Sequence, residues 1–141
     1  MVINKVVGID PDLKLNGVAY FENGKLEWTR KMSFFELCDF LKSQSDCLVL
    51  IEAGWLIKKR NWHLESWAVE KRERVAYNVG MNHAIGLLLA EFCKKENIPY
   101  ELVKPVYTKL NRRVFEKLVG IDVKSQEERD AVMLVKRTLS W

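Results

Sequence analysis

The sequence has few of the residues that stabilise small secreted proteins or bind zinc. It contains only three cysteines and two histidines. Cys38, Cys47 and Cys93 are too scattered for a disulfide framework or a zinc site, and neither His63 nor His83 has metal-ligand spacing with them. Since Cys47 and Cys93 lie in apolar stretches, we expect buried free thiols there.

Long hydrophobic runs, internal repeats, low-complexity segments and linkers are also absent from the sequence. No apolar run is long enough to span a membrane, and the first residues lack the pattern of a signal peptide. A chain of 141 residues can bury one hydrophobic core. The expectation is a single cytoplasmic domain, residues 1–141, without membrane association.

Basic residues outnumber acidic ones only slightly, 23 to 19, but they are clustered. One such cluster alone is typical of a solvated helix face. Three clusters that flank a candidate acidic site favour a phosphate-binding surface. The clusters are Lys58, Lys59 and Arg60; Lys71, Arg72 and Arg74; and Lys104, Lys109, Arg112, Arg113 and Lys117.

Three strands are predicted at the start of the chain. Residues 5–10 are rich in valine and isoleucine, as in a buried strand. Residues 17–21 and 25–31 form a second and a third strand, joined by Asn23-Gly24, a strong signal for a two-residue hairpin turn. These strands form an antiparallel meander.

The remaining elements are predicted in the order helix, strand, helix, strand, helix, helix. Ser33 and Glu36 form a capping box for the first helix. The predicted ranges are 34–43, 47–52, 75–97, 100–103, about 105–119 and 126–139, with 53–74 as a loop leading into a helix. Alternating strands and helices imply parallel pairing, so the fold class is α/β, a five-stranded mixed sheet flanked by helices.

Carboxylates follow two of the predicted strands. Asp10 ends the first strand, and Glu52 ends the fourth, CLVLIE. If these strands are parallel neighbours, both carboxylates lie at the edge of the sheet where ligands bind in α/β proteins. Glu127 and Asp130 share one face of the last helix, which could bring them to the same edge.

Four carboxylates in one place repel each other unless cations compensate them. Magnesium and manganese prefer oxygen ligands, and two such ions roughly 4 Å apart can hold the attacking and leaving oxygens of a phosphodiester. Simpler interpretations remain open. Interaction with the helix dipole is enough to explain why Glu128 lies in the first turn of a helix, and it could also explain Glu127. Asp10, which precedes a proline, could simply initiate a turn. For Glu52, which follows five apolar residues, no surface role is evident.

The acidic segments resemble the motifs of RuvC-type Holliday-junction resolvases, which have a ribonuclease H-like fold. GIDPDLKLNGVA resembles that family's GIDPG…TG opening, LVLIEAGW its buried strand ending in glutamate, and EERDAVMLV its Asp-x-x-Asp-Ala-Leu helix. The resemblance covers nearly the whole chain. The three acidic segments, in this order and spacing, identify the family more specifically than any one of them does alone. Asp12 replaces a family glycine and Glu127 a family aspartate, which is compatible with a phage or mobile-element branch.

The resemblance implies a crossover junction endodeoxyribonuclease. Asp10, Glu52, Glu127 and Asp130 would hold two magnesium or manganese ions, and the products would carry 5′-phosphate and 3′-hydroxyl ends. Lys109 matches a catalytic lysine near the scissile phosphate. The family acts as a homodimer on four-way DNA junctions, and the 75–97 helix is a candidate contact element. The expected DNA-binding residues are Trp55, which matches a base-stacking aromatic, with Lys58, Lys59, Arg60, Lys104, Lys109, Arg112 and Arg113, although the last two could be plain surface charges.

Other functions stay open at this point. Another ribonuclease H-like nuclease, acting on RNA–DNA hybrids, would use the same acids. A non-catalytic protein that binds branched DNA could keep the same fold. The actin-like and sugar-kinase ATPases also begin with an Asp-containing hairpin, but they need two such domains, and 141 residues hold one.

Overall fold

The structure, a computed structural model, describes residues 3–57, 68–106 and 108–141. Its element order confirms the predicted one. The elements are β1 (Lys5–Asp10), β2 (Asn16–Glu22), β3 (Lys25–Met32), α1 (Phe34–Ser43), β4 (Cys47–Glu52), α2 (Val69–Lys95), β5 (Tyr100–Val103), α3 (Arg112–Val119) and α4 (Gln126–Leu139). A short 3₁₀ turn, Gly54–Leu56, follows β4. None of the described helices has the length and apolar character needed to cross a membrane.

The five strands form one mixed sheet in the order β3-β2-β1-β4-β5. β1, β2 and β3 are antiparallel neighbours, whereas β4 pairs in parallel with both β1 and β5. Asn23 and Gly24 both have positive φ, 53° and 79°, as the predicted hairpin turn requires. The meander and the parallel half of the sheet are therefore as predicted.

Helices cover both faces of the sheet. Because side chains alternate along a strand, Val7 and Ile9 of β1 face one layer, and Val6 faces the other. α1 and α2 pack on the first face, where Cys38, Cys47 and Cys93 are buried free thiols, as predicted for Cys47 and Cys93. α3 and α4 pack on the second face.

Two glycines let α4 approach the sheet closely. A Cβ atom at Gly8 of β1 would lie 2.5 Å from the carbonyl oxygen of Ala131, and one at Gly17 of β2 would lie 2.9 Å from the Cβ of Glu127. Real Cβ atoms essentially never approach other atoms this closely. The absence of side chains at these positions therefore sets the distance between α4 and the two strands.

Two predicted helix limits are wrong. The long helix begins at Val69, not at residue 75, so the helix expected at the end of 53–74 is continuous with it. The charged residues before residue 75 are good helix formers. The predicted helix at 105–119 begins only at Arg112. The side chain of Asn111 caps it, accepting a hydrogen bond from the backbone N–H of Val114 at 2.9 Å, whereas Pro105 offers no such acceptor.

We predict that Gly8→Ala destabilises the protein by about 1–3 kcal/mol, since the added methyl group would overlap the α4 backbone and the chain must shift to admit it. Asp39→Ala is the control, because Asp39 is exposed on α1 and lies outside the close contact of α4 with the sheet. The control should change stability by no more than about 0.5–1 kcal/mol, and in the stabilising direction, because alanine is the better helix former. Urea unfolding measures both, and a Gly8→Ala protein as stable as wild type would contradict close packing of α4.

Candidate active site

Asp10 and Glu52 lie side by side at the carboxyl ends of β1 and β4. The parallel register pairs Ile9 with Ile51, so the two acids occupy the next position on neighbouring strands. By the alternation of side chains, Asp10 lies on the same face as Val6 and Gly8, which is the face covered by α4. The predicted convergence of these two strand ends is confirmed.

α4 places two further acids at this edge. Ser125 caps the helix by accepting a hydrogen bond from the backbone N–H of Glu128 at 3.3 Å. Asp130, one turn further, is buried with 8% of its surface exposed. The Glu127 carboxylate accepts a hydrogen bond from Ser125 Oγ at 2.9 Å and lies 3.6 Å from Lys31 Nζ.

Both oxygens of the Asp130 carboxylate have hydrogen-bond donors. Lys109 Nζ donates to Oδ2 at 2.7 Å, and the Gln126 side-chain amide donates to Oδ1 at 2.7 Å. Lys109 belongs to the segment between β5 and α3 and keeps 46% of its side chain exposed. Lys109 therefore places an ammonium group among the carboxylates of the site.

The electrostatics of Asp10 reflect this crowding. Burial raises the pKa of its carboxyl group from 3.8 to about 8, and the charge of Glu52 adds to the effect, with smaller contributions from Asp130 and Glu127. Lys109 acts in the opposite direction. At neutral pH and without cations, the carboxyl group of Asp10 is therefore largely protonated.

Two other groups of the site stay charged. Burial lowers the pKa of Lys109, but its hydrogen bond to Asp130 and the nearby carboxylates outweigh burial, and the net pKa lies above the ordinary value. The pKa of Glu127 is lowered, chiefly by its own backbone N–H at the helix start and also by Ser125 and Lys31, against an opposing effect of burial. Lys109 is thus a cation, and Glu127 an anion, at neutral pH.

The donor chemistry suits a hard divalent cation. The four acids offer only oxygen ligands, and added positive charge would relieve the repulsion that raises the pKa of Asp10. Among the described residues, however, no three His, Cys, Asp or Glu side chains are grouped as metal ligands. A cation would have to compete with Lys109 for Asp130. The role of the acids as ligands stays a prediction.

A cleft of about 270 Å³ opens beside Asp10 and Glu52, and its lining includes Trp55, His83 and Lys109. The Trp55 indole packs over Gly86 of α2, where an added Cβ would lie 2.5 Å from the ring, and its centroid is 6.0 Å from that of His83. Trp55 is partly buried in this way, and base stacking by it stays a prediction. The sequence showed only that His83 lacks metal-ligand spacing with the cysteines, and it did not place His83 at the site.

The predicted DNA-binding cations differ in their surroundings. Lys104 and Arg113 are exposed. Arg112 forms a bidentate ion pair with Asp122, with nitrogen–oxygen distances of 2.6 and 2.5 Å. Lys58, Lys59 and Arg60 lie outside the described residues, as do Trp62, Trp67 and His63. DNA contact stays a prediction for the six cations, which are Lys58, Lys59, Arg60, Lys104, Arg112 and Arg113.

The turn after Asp10 is fixed by two asparagines that sequence reasoning did not identify. The fully buried Asn16 accepts a hydrogen bond from the Asp12 N–H at 2.9 Å and donates to the Met32 carbonyl at 3.1 Å. Asn82 of α2 accepts one from the Leu13 N–H at 2.9 Å. Nothing in the sequence marks Asn82, 69 residues away from its partner, whereas Asn16 lies within the turn itself.

A known structure shows the same fold. A structure described as Thermus thermophilus RuvC in complex with Holliday junction substrate matches with a TM-score of 0.52 and 13% identity, over 96% of this chain and 96% of that chain. A second T. thermophilus RuvC structure matches with a TM-score of 0.45 and 14% identity, over 95% and 96%. No protein-family model and no curated protein sequence matches the chain. The chain has the ribonuclease H-like fold of RuvC, as predicted.

We predict that Asp10→Asn stabilises the metal-free protein as the pH rises. Wild-type Asp10 has a pKa of about 8 when folded but 3.8 ordinarily, so the folded state binds the extra proton. The free energy of unfolding contributed by this group therefore falls between about pH 4 and about pH 8. Asparagine does not titrate, so the difference between variant and wild type should grow over this interval.

The expected gain at the upper end is on the order of a few kcal/mol, since one pKa unit corresponds to about 1.4 kcal/mol. Urea unfolding near pH 5 and near pH 8, with a chelator present, measures it. A difference between the two proteins that does not change with pH would contradict the assigned crowding of Asp10.

Proposed function

We propose that the protein is a metal-dependent, structure-selective endodeoxyribonuclease that resolves Holliday junctions or related branched DNA. It cuts two strands by paired, symmetric phosphodiester hydrolysis and leaves 5′-phosphate and 3′-hydroxyl ends. The observation that supports this most strongly is the crowding of Asp10 by Glu52, Asp130 and Glu127, with Lys109 among them, at the carboxyl edge of a ribonuclease H-like sheet. RuvC, whose fold the chain shares, has been seen with a Holliday junction substrate.

The carboxylates have distinct roles in this proposal. Asp10 and Glu52, fixed at strand ends, and Asp130, buried on α4, would form the rigid part of a site for two magnesium or manganese ions. Glu127, with 40% of its side chain exposed, would complete it with a longer and more mobile reach. When bound, such ions would activate water and neutralise charge at the phosphate.

Lys109 is the proposed catalytic cation. Its ammonium group is held at Asp130 by a 2.7 Å hydrogen bond, and its raised pKa keeps it charged at neutral pH. If a divalent ion binds Asp130, Lys109 is released on a half-exposed side chain. It can then contact a phosphate oxygen, where a fixed positive charge stabilises the negative charge that develops in the transition state.

Junction binding is proposed to use the surface around the cleft. Lys104, which directly follows β5, and Arg113 of α3 are exposed. The resemblance adds Trp55, Lys58, Lys59, Arg60 and Arg112. Cationic side chains supply most of the affinity for the DNA backbone without reading its sequence. Recognition would then depend on the shape of the branch.

A homodimer would place two such sites on the two strands to be cut. The middle of α2 carries an exposed stripe of small and apolar residues. The stripe is unusual because the helix already buries a different apolar face against the sheet. The stripe consists of Tyr77, Gly80, Ala84, Leu87 and Leu88. Such a stripe can pair with its own copy around a two-fold axis, which matches the approximate two-fold symmetry of a four-way junction.

We predict that Asp10→Asn reduces junction cleavage by roughly a hundred-fold or more, since it removes the central carboxylate of the site. Asp12→Asn is the matched control, because the Asp12 side chain stabilises the turn after β1 and is not one of the proposed metal ligands. Its Oδ1 accepts a hydrogen bond from the Lys14 N–H at 2.8 Å, and asparagine keeps that acceptor. In the assay, each protein is incubated with a labelled four-way junction, replication fork, plain duplex or RNA–DNA hybrid in the presence of magnesium or manganese, and the cleavage products are measured.

The outcomes of this assay separate the candidate functions. Paired nicks in the junction that vanish in Asp10→Asn and persist in Asp12→Asn would support the resolvase. Tight junction binding without cutting under either metal would contradict catalysis and leave a branched-DNA-binding protein. Cutting of the hybrid alone would indicate another ribonuclease H-like nuclease.

We predict that Leu88→Glu converts the dimer to a monomer, because it places a charge on each side of the two-fold contact. Phe35→Glu is the control, since Phe35 is an equally apolar and still more exposed residue, 77% exposed, on α1. Sedimentation velocity measures both variants. A Leu88→Glu protein that sediments like wild type would remove α2 from the proposed interface.

A further inference from the structure

Gln126 is one turn before Asp130 on α4, and it is the side chain that holds one oxygen of the Asp130 carboxylate. Its Nε2 donates to Asp130 Oδ1 at 2.7 Å and to the Leu110 carbonyl at 3.3 Å. Its Oε1 accepts a hydrogen bond from Arg129 Nη2 at 2.9 Å. The side-chain amide therefore has its donor directed to the acid and its acceptor directed to a cation.

Arg129 fixes this orientation of Gln126. The arginine is buried, with only 7% of its surface exposed, and its guanidinium is bound on every side. Nη1 donates to the carbonyls of Val123 and Lys124 at 2.8 Å each, and Nε donates to the Leu110 carbonyl at 3.2 Å. Because guanidinium can only donate, the Gln126 group facing it must be the oxygen, and the NH₂ group must face Asp130.

The same network connects α4 to the segment that carries Lys109. The Leu110 carbonyl accepts from both Arg129 and Gln126, and Leu110 directly follows Lys109 in the chain. Lys109 in turn donates to the other oxygen of Asp130, Oδ2. Oδ1 of Asp130 is thus held by Gln126 of the same helix. Oδ2 faces Lys109, the partner that a divalent cation could replace.

We propose that Gln126, oriented by Arg129, is a positioning residue that presents Asp130 Oδ2 to a divalent cation. This inference rests on the proposed function. Fixing the carboxylate before the cation arrives saves the cost of ordering it on binding. Groups that hydrogen-bond to ligating side chains in this way typically contribute about 10- to 100-fold to metal affinity.

The test is the affinity for Mn²⁺ itself, measured by electron paramagnetic resonance titration of free Mn²⁺ without DNA. Gln126→Met keeps the length of the side chain but removes the donor and the acceptor. Gln44→Met is the matched control, because Gln44 is the other glutamine of the chain, at the end of α1, and its amide donates only to Ser43 Oγ at 3.2 Å. Thermal unfolding of each variant accompanies the titration.

We expect Gln126→Met to bind Mn²⁺ about ten-fold or more weakly, with the affinity of Gln44→Met unchanged. Gln126→Met should melt at a lower temperature than wild type, because the buried Arg129 loses a hydrogen-bond acceptor, but it should remain folded at the temperature of the titration. Equal affinity of Gln126→Met and wild type would overturn the inference while leaving the nuclease proposal intact. Wild-type protein whose Mn²⁺ binding is absent, or is unchanged by Asp10→Asn, would instead count against the proposed metal site.

A second variant covers the case in which Gln126→Met fails to fold. Gln126→Ala places a good helix former at the first position of α4 and removes the same hydrogen bonds. The same loss of Mn²⁺ affinity is expected from it. A folded Gln126→Ala protein with wild-type affinity would overturn the inference in the same way.

Discussion

The close contact of α4 with β1 and β2 is the constraint on which the candidate site depends. Gly8 and Gly17 have no side chains, so the helix backbone lies directly on the strands. This contact carries Asp130 to the sheet edge where Asp10 and Glu52 end, and Asp130 is buried there. Any residue larger than glycine at these two strand positions would push the helix, and the acids on it, away from the edge.

That closeness has an electrostatic cost, which the metal-free molecule reduces in two ways. The Asp10 carboxyl group takes up a proton, since its pKa is raised to about 8. Lys109 supplies a positive charge at Asp130. Carboxylates that the fold crowds in this way are typical of functional sites. The proton on Asp10 and the ammonium group of Lys109 both offset the negative charge of these acids.

The surroundings of the site divide into a rigid part and an adaptable part. Asn16 and Asn82 fix the turn after Asp10, and Arg129 with Gln126 fixes the start of α4. Lys109 and Glu127, by contrast, keep about half of their side chains in solvent. The fold therefore holds the Asp10 and Asp130 carboxylates in place, while the side chains of Lys109 and Glu127 remain free to change conformation.

Local sequence patterns predicted the strands, the hairpin at Asn23-Gly24 and both strand-ending acids, because apolar runs, turn residues and caps act over a few neighbouring positions. They also predicted α4, through Ser125 and the period of its apolar face. The start of α3 was not predicted, because the helix is capped by Asn111 and does not begin at Pro105. The start of α2 was not predicted either, because it lies within a charged segment without a clear capping signal. The hydrogen-bond partners of the site residues, by contrast, follow from the packing of the whole fold. The bonds of Asn82 to Leu13 and of Lys109 to Asp130 join residues far apart in the chain, and such contacts depend on how helices pack on the sheet, which no local pattern records.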